Sequence, residues 1–119
     1  MCAQIADDKK AEDIVILDLQ GLASFTDYFV ICSGFNKRQL QAIADETVKQ
    51  AGALNIKGLG KEGYDDARWI LLDYVSVIVH LFDKDTRIFY DLELLWGDAP
   101  RVEWQGKRIK APKKLGQAK

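Results

Sequence analysis

The sequence is poor in the residues on which most catalytic and metal-binding chemistry depends. It holds one histidine, His80, two cysteines, Cys2 and Cys32, and two prolines in 119 residues. One His and two distant Cys match no zinc spacing, so neither a metal nor a cofactor is expected. Two cysteines make no disulfide framework, which fits a reducing compartment. Cys32, inside the apolar run Phe29-Val-Ile-Cys32, reads as a small core hydrophobe. Also missing is any apolar run near the ~20 residues that cross a bilayer; the apolar-rich stretches, such as Ile14–Leu17 and Val75–Phe82, have strand length. The opening MCAQIADDKKAED carries neither an apolar signal core nor an Arg/Ser-rich leader. Neither secretion nor organelle import is therefore expected, and the expected location is cytoplasmic.

What is present describes one globular domain. The length is near the common domain size, and 48% hydrophobic with 29% charged residues excludes an intrinsically disordered chain. The net charge of −1 conceals an asymmetry: residues 98–119 carry seven basic and two acidic side chains, residues 1–97 ten basic and sixteen acidic. The expected organisation is a domain over 1–97 and a basic, disordered tail over 98–119. An acidic body is poorly suited to gripping RNA phosphates and better suited to a basic protein partner.

Along the chain, residues 3–12 can form a short helix with Ile5 as its one large apolar residue, and Asp13–Leu19 and Tyr28–Ser33 read as strands. Asn36 can cap a helix over Lys37–Ala51, with Gln39 in capping-box position. Leu40, Ile43, Ala44, Val48 and Ala51 form its apolar stripe, and Gly52 its stop. Ile56–Lys61 reads as a Gly-interrupted edge strand. Arg68–Asp73 and Val75–Phe82 follow, joined by a turn too short for a parallel crossover, so they should pair antiparallel. A last helix over Thr86–Trp96, capped by Asp85, places Phe89, Leu92 and Trp96 on one stripe. The fold class is α/β: a mixed five-stranded sheet with two or three helices, the long one supplying the crossover.

So few helices would leave part of one sheet face bare. Alternation puts Trp69, Leu71 and Asp73 together on one side of their strand, and Ile78, His80 and Phe82 together on one side of the next. A bare apolar patch holding a Trp points to a partner; equally, a helix can cover Trp69 and make it core. His80 could pair with Cys32 as a nucleophile or with Asp73 or Asp27 as an acid/base, but no Gly-x-Ser-x-Gly elbow exists, and a structural or interface His is the commoner case. Ser33-Gly34 opens a helix as a phosphate cradle would. The further glycines and the Lys-Ser/Thr of such loops are missing, so a turn requiring Gly is the simpler reading.

Five segments resemble, in order and spacing, the Iojap-related ribosomal silencing factors: Asp13–Leu19, Thr26–Gly34, Trp69–Tyr74, Val77–Phe82 and Tyr90–Trp96. The resemblance implies a nucleotidyltransferase-like fold used without its catalytic residues. Active relatives of that fold place Gly-Ser before the helix and paired carboxylates on the next strand to hold two metals. Here the order is Ser33-Gly34, Ile56–Lys61 carries no carboxylate, and Asp45-Glu46 lie on the long helix. The resemblance further implies a non-enzymatic translation repressor. It would bind the large ribosomal subunit at its fourteenth ribosomal protein and block joining with the small subunit, chiefly under nutrient limitation. The alternatives are an adaptor in large-subunit biogenesis and a residual nucleotidyltransferase. On the resemblance, the partner-binding surface draws on Trp69 as aromatic anchor with Leu71 and Tyr74 on its strand. Asp73 and His80 would be polar specifiers, Tyr90 and Glu93 would lie on the last helix, and Arg87 would be a rim salt-bridge partner. The same face could form a homodimer, no membrane partner is implied, and RNA contact would be peripheral, through the basic tail.

Overall fold

The computed structural model describes residues 2–104. The chain runs α1 (Cys2–Asp8), β1 (Glu12–Asp18), β2 (Tyr28–Gly34), α2 (Lys37–Ala53), β3 (Gly60–Glu62), β4 (Trp69–Asp73), β5 (Val77–Asp83), α3 (Lys84–Tyr90) and α4 (Leu92–Leu95). The five strands form one mixed sheet in the order β1-β2-β5-β4-β3. β2 and β5 are parallel, while β1–β2, β4–β5 and β3–β4 are antiparallel. Helix α2 therefore carries the chain from β2 to the far edge, β3, from which two short reversals bring it back to β5.

The sheet separates two apolar layers. Val30, Cys32, Ile70, Leu72, Val79 and Leu81 pack under α1 and α2, while Leu17, Phe29, Ile31 and Phe82 face the other way, toward Trp69, Leu92 and Trp96. Asn36 Oδ1 accepts the Gln39 N–H at 2.8 Å, and the Gln39 side chain accepts from Phe35 N, one residue earlier than in a standard capping box. The stripe of α2 is Leu40, Ile43, Ala44, Thr47 and Ala51. Val48, expected in it, is exposed, and Thr47 takes its place by donating its hydroxyl to the Ile43 carbonyl at 2.8 Å. Fully burying Leu40 and Ile43 stabilises the domain by about 2 kcal/mol each. The helix also outruns Gly52: Asn55 adopts the left-handed conformation (φ 62°), Ile56 N bonds Ala51 O, and Asn55 N bonds Gly52 O. Asn55 thus supplies the stop by a Schellman arrangement. Gly34 is required for space, since a Cβ there would lie 2.7 Å from Leu40 Cδ2.

Three other boundaries differ from expectation. The edge strand contracts from Ile56–Lys61 to Gly60–Glu62, because the chain before it is occupied by the helix stop and by the Leu59 N–Asp73 O bond. The single last helix is two: Asp91 sits at φ 45°, its N–H closing α3 on Arg87 O, and its carboxylate accepting from Leu94 N to cap α4. Asp83, not Asp85, caps α3, and the stripe of Phe89, Leu92 and Trp96 dissolves, with Phe89 facing outward. Finally, the chain after residue 97 is not all tail. Ala99 is buried, Pro100 O and Val102 N bond Asp18 N and Ile16 O of β1, and Trp104 packs against the helical-side core. Residues 105–119, the rest of the expected disordered tail, lie outside the described residues. Among the described residues no helix is long and apolar enough to cross a membrane.

Candidate protein-docking face

Register fixes which side chains share a face. Trp69 pairs with Phe82, Leu71 with His80 and Asp73 with Ile78 across β4–β5, so these six side chains lie on the side away from α2. Gly63, at φ 78°, fits against the start of β4, where a Cβ would lie 2.1 Å from the Trp69 carbonyl oxygen. The β3–β4 loop thereby packs closely on the backbone at the start of β4, with Tyr64 and Ala67 on the α2 side of the sheet.

Trp69 is half-buried, which reconciles the two readings of it. One face stacks toward Phe82, with centroids 4.8 Å apart, and Tyr90 lies 4.7 Å away on the helix side. Its indole N–H donates to His80 Nδ1 at 3.0 Å. Indole nitrogen only donates, so Nδ1 must be the unprotonated ring nitrogen and the neutral His80 carries its proton on Nε2. His80 is 4% exposed, with the Phe29 ring centroid at 4.3 Å, and its Nε2 has no hydrogen-bond partner among the described residues. Burial pushes its pKa down to about 4, keeping the ring neutral at pH 7. His80 therefore orients Trp69 from below rather than meeting a partner directly.

The arrangement does not assemble the alternative chemistry. Cys32 pairs in register with Leu81 and His80 with Ile31, so Cys32 and His80 point to opposite faces of the sheet. Burial pushes the Cys32 thiol up to about 12, which disfavours the thiolate a nucleophile requires. Asp73 Oδ1 accepts from the Val75 N–H at 2.9 Å, bracing a turn in which Val75 takes φ 67°, and Asp27 is exposed. A cleft of about 550 Å³ opens by Ser33, Lys84, Arg87 and Arg101. Its cations are engaged: Lys84 pairs with Glu12 at 2.7 Å, and Arg87 donates to Ser33 Oγ at 2.9 Å and to Glu93 at 3.0 Å. Among the described residues no group of three or more His, Cys, Asp or Glu side chains gathers as a metal site would.

The remaining expected residues divide. Arg87, expected at the rim, is 8% exposed, and its guanidinium holds Glu93 through both Nε and Nη2. That fork clamps α4 against α3 and β2, so Arg87 and Glu93 are internal supports. Tyr74 lies on the helical side, packed against the α1–α2 core beside Gly58, apart from Trp69. Leu71 and Asp73 are half-buried beside His80, and Tyr90 is 50% exposed.

Reasoning from the sequence missed the most exposed part of this region. Ile88, Phe89, Leu94 and Leu95 are all more than 70% exposed, on the outer sides of α3 and α4. The signal was present: seven of the nine residues 88–96 are large and apolar, and a short helical segment can bury only one side. Phe89, Tyr90 and Trp69 also line a groove of about 520 Å³, with Asp66, Arg68 and Asp85 around it. An exposed apolar ridge beside a half-buried Trp is a surface suited to a protein partner.

Comparison with known proteins gives this surface its context. A family model described as "Ribosomal silencing factor during starvation" matches residues 1–119, including the stretch beyond 97. The ribosomal silencing factor RsfS of Bacillus subtilis is 50% identical over 103 residues, covering 87% of each chain. The mouse protein named "Mitochondrial assembly of ribosomal large subunit protein 1" is 33% identical over 99 residues, covering 81% of this chain and 43% of that one. A crystal structure of a Bacillus halodurans protein superposes with a TM-score of 0.76 at 45% identity, covering 87% of this chain and 93% of that one. The chain belongs to the ribosomal silencing factor family.

Proposed function

We propose that the protein represses translation by docking on the large ribosomal subunit through α3, α4 and the Trp69 edge of the sheet, so that the small subunit cannot join. The partner at that site is the fourteenth large-subunit ribosomal protein, on the face turned toward the small subunit, and the setting is the cytosol. The observation that carries this reading is the ridge of Ile88, Phe89, Tyr90, Leu94 and Leu95, half or more exposed on two helices that the Arg87–Glu93 pair joins. Family membership supports the silencing role. The acidic balance of residues 1–97 suits a basic ribosomal protein. The mode of action is steric, by occupation, with no bond made or broken.

Co-sedimentation tests this. The protein should travel with free large subunits and leave assembled ribosomes unbound, and it should slow joining when small subunits are added to the mixture. Equal recovery on both particles would overturn the reading. A second reading, an adaptor in large-subunit assembly, is favoured by the name of the mouse relative. It predicts that cells lacking the protein accumulate immature large subunits even in rich medium.

A further inference from the structure

We infer that the β3 edge of the sheet, with the end of α2 and the turn after it, is a second docking site that takes an extended, acidic segment of a partner protein. The site lies on the opposite face of the sheet from the ridge, so a partner here and a partner there can be held together. Its use on the large subunit rests on the docking proposed above; its chemistry does not. Four large aliphatic side chains are exposed: Val48 on α2, and Leu54, Ile56 and Leu59 in the connection to β3, Leu59 at 73%. Val48, Ile56 and Leu59 border, with Tyr74, a groove of about 330 Å³ whose wall is opened by Gly58 and Gly60. Among the described residues β3 pairs with β4 on one side and with no strand on the other, and all three of its residues are exposed. A bare strand edge beside an apolar groove is the arrangement that receives an added strand.

Charge selects the occupant. Residues 47–61 carry Lys49, Lys57 and Lys61 and no acidic side chain, whereas the rest of residues 1–104 hold eight basic and eighteen acidic. None of the three lysines enters a salt bridge among the described residues; Lys61 Nζ lies 4.3 Å from the centre of the Tyr64 ring. A lysine on an edge strand can also keep other strands away, and Lys61 alone would be such a guard. The exposed aliphatic residues and the open groove beside it are the reverse of a guarded edge. They offer nothing to a phosphate backbone, which binds through cations, and a concave groove does not fit the plane of a bilayer. A second copy of the chain is disfavoured by like charge, because two β3 strands paired antiparallel about their middle residue would set Lys61 against Lys61. An acidic protein segment meets neither objection. Lys61 pairs with Leu72 and so rises on the groove side of the sheet. A complementary strand therefore carries its carboxylates and its apolar side chains on one side, two residues apart, with polar residues on the other.

The test titrates the full-length chain with three soluble octapeptides and follows its backbone amide signals by NMR. The first, Glu-Thr-Val-Thr-Glu-Thr-Val-Thr, places carboxylates and valines on one side of a strand. The second has Lys in place of Glu, and the third has Ser in place of Val. The first should shift the amides of Gly58, Leu59, Gly60 and Lys61 saturably, and the other two should bind about ten-fold more weakly or worse. Lys57 and Lys61 are both exposed, so the double variant Lys57→Glu with Lys61→Glu should keep the native urea midpoint. It should prefer the second peptide to the first and still co-sediment with large subunits. Phe89→Ala should lose subunit binding and keep the first peptide, which separates failure of this inference from failure of the docking reading. Equal affinity for the first two peptides, or no saturable shift at residues 58–61 with any of the three, would overturn the proposal. So would tighter binding of these residues to an RNA duplex or to phosphatidylglycerol vesicles than to the first peptide, because the patch would then serve phosphate or lipid.

Discussion

Helix α2 and the pair α3–α4 pack on opposite faces of the same sheet, and both are rich in apolar residues. In α2 those residues recur at helical spacing, and Leu40, Ile43, Ala44 and Ala51 are 1% exposed or less. In α3–α4 they occur on every side, and Arg87 is the residue of α3 that is buried. The first pattern closes a core. The second leaves Ile88, Phe89, Leu94 and Leu95 in solvent, where no folding requirement explains them. Apolar content alone does not separate the two segments; what does is whether the apolar residues share one side.

Substitutions can break this comparison if it is wrong. The largest expected effect lies in α2. Leu40→Ala should cost about 3 kcal/mol of stability, visible as a lower urea midpoint at unchanged m-value. Binding per folded molecule should not change. A loss below 1 kcal/mol would mean that the α2 face is less tightly packed than its burial indicates.

The opposite face should respond to pH. His80 is held neutral in the fold, with a pKa near 4 against about 6.5 when unfolded. Between those values the unfolded chain binds the extra proton, so stability rises with pH there and is lost as pH falls from 6.5 toward 4. The His80 contribution should drop by about 2 kcal/mol from pH 7.5 to pH 5. Since carboxylates titrate below that range too, the measurement is the difference between the native chain and His80→Leu in urea titrations at each pH. Parallel curves would show that His80 gains access to water in the native state.

Next comes the clamp. Arg87→Met removes one member of a largely buried pair and leaves Glu93, whose side chain is 22% exposed, with Arg101 at 3.5 Å as its remaining cation. That residual exposure and partner should reduce the cost below the ~3–5 kcal/mol of a fully buried pair, to about 2 kcal/mol. Subunit binding should weaken as well, because α4 loses its hold on α3. If stability falls and binding of the folded fraction is unchanged, the ridge does not depend on the clamp.

These sites were unequally legible in the sequence. The strands, the start of α2 and the antiparallel β4–β5 pair follow from local signals, namely β-branched runs, Asn36 with Gln39, and a turn too short to cross over. The side-chain alternation that grouped Trp69, Leu71 and Asp73 holds in the register of β4 with β5. The break at Asp91 was hidden, because an Asp in a helical window carries no mark that its φ will be 45°. The role of Arg87 was hidden for a different reason: its partners are Ser33, 54 residues away, and Glu93, which no periodicity links to it. Tyr74 was grouped with Trp69 because it follows the same strand, although it packs on the other side of the sheet.

The smallest expected stability change belongs to the ridge. Phe89 is 79% exposed and touches Tyr90 with ring centroids 5.0 Å apart, so Phe89→Ala should move unfolding stability by no more than about 0.5 kcal/mol. If the ridge is an interface, the same substitution should weaken binding to large subunits by about 2 kcal/mol, close to thirty-fold. Ile88→Ala and Leu94→Ala should behave likewise. Lys61→Ala, on the far edge strand, should change neither quantity, which makes it the control for general surface effects. A ridge variant that loses stability and binding in proportion would place Phe89 in the core, and the distinction between the two helical segments would collapse. A variant that loses binding alone would assign to Phe89 a role that burial does not explain, because at that position the apolar ring stabilises a complex and not the fold.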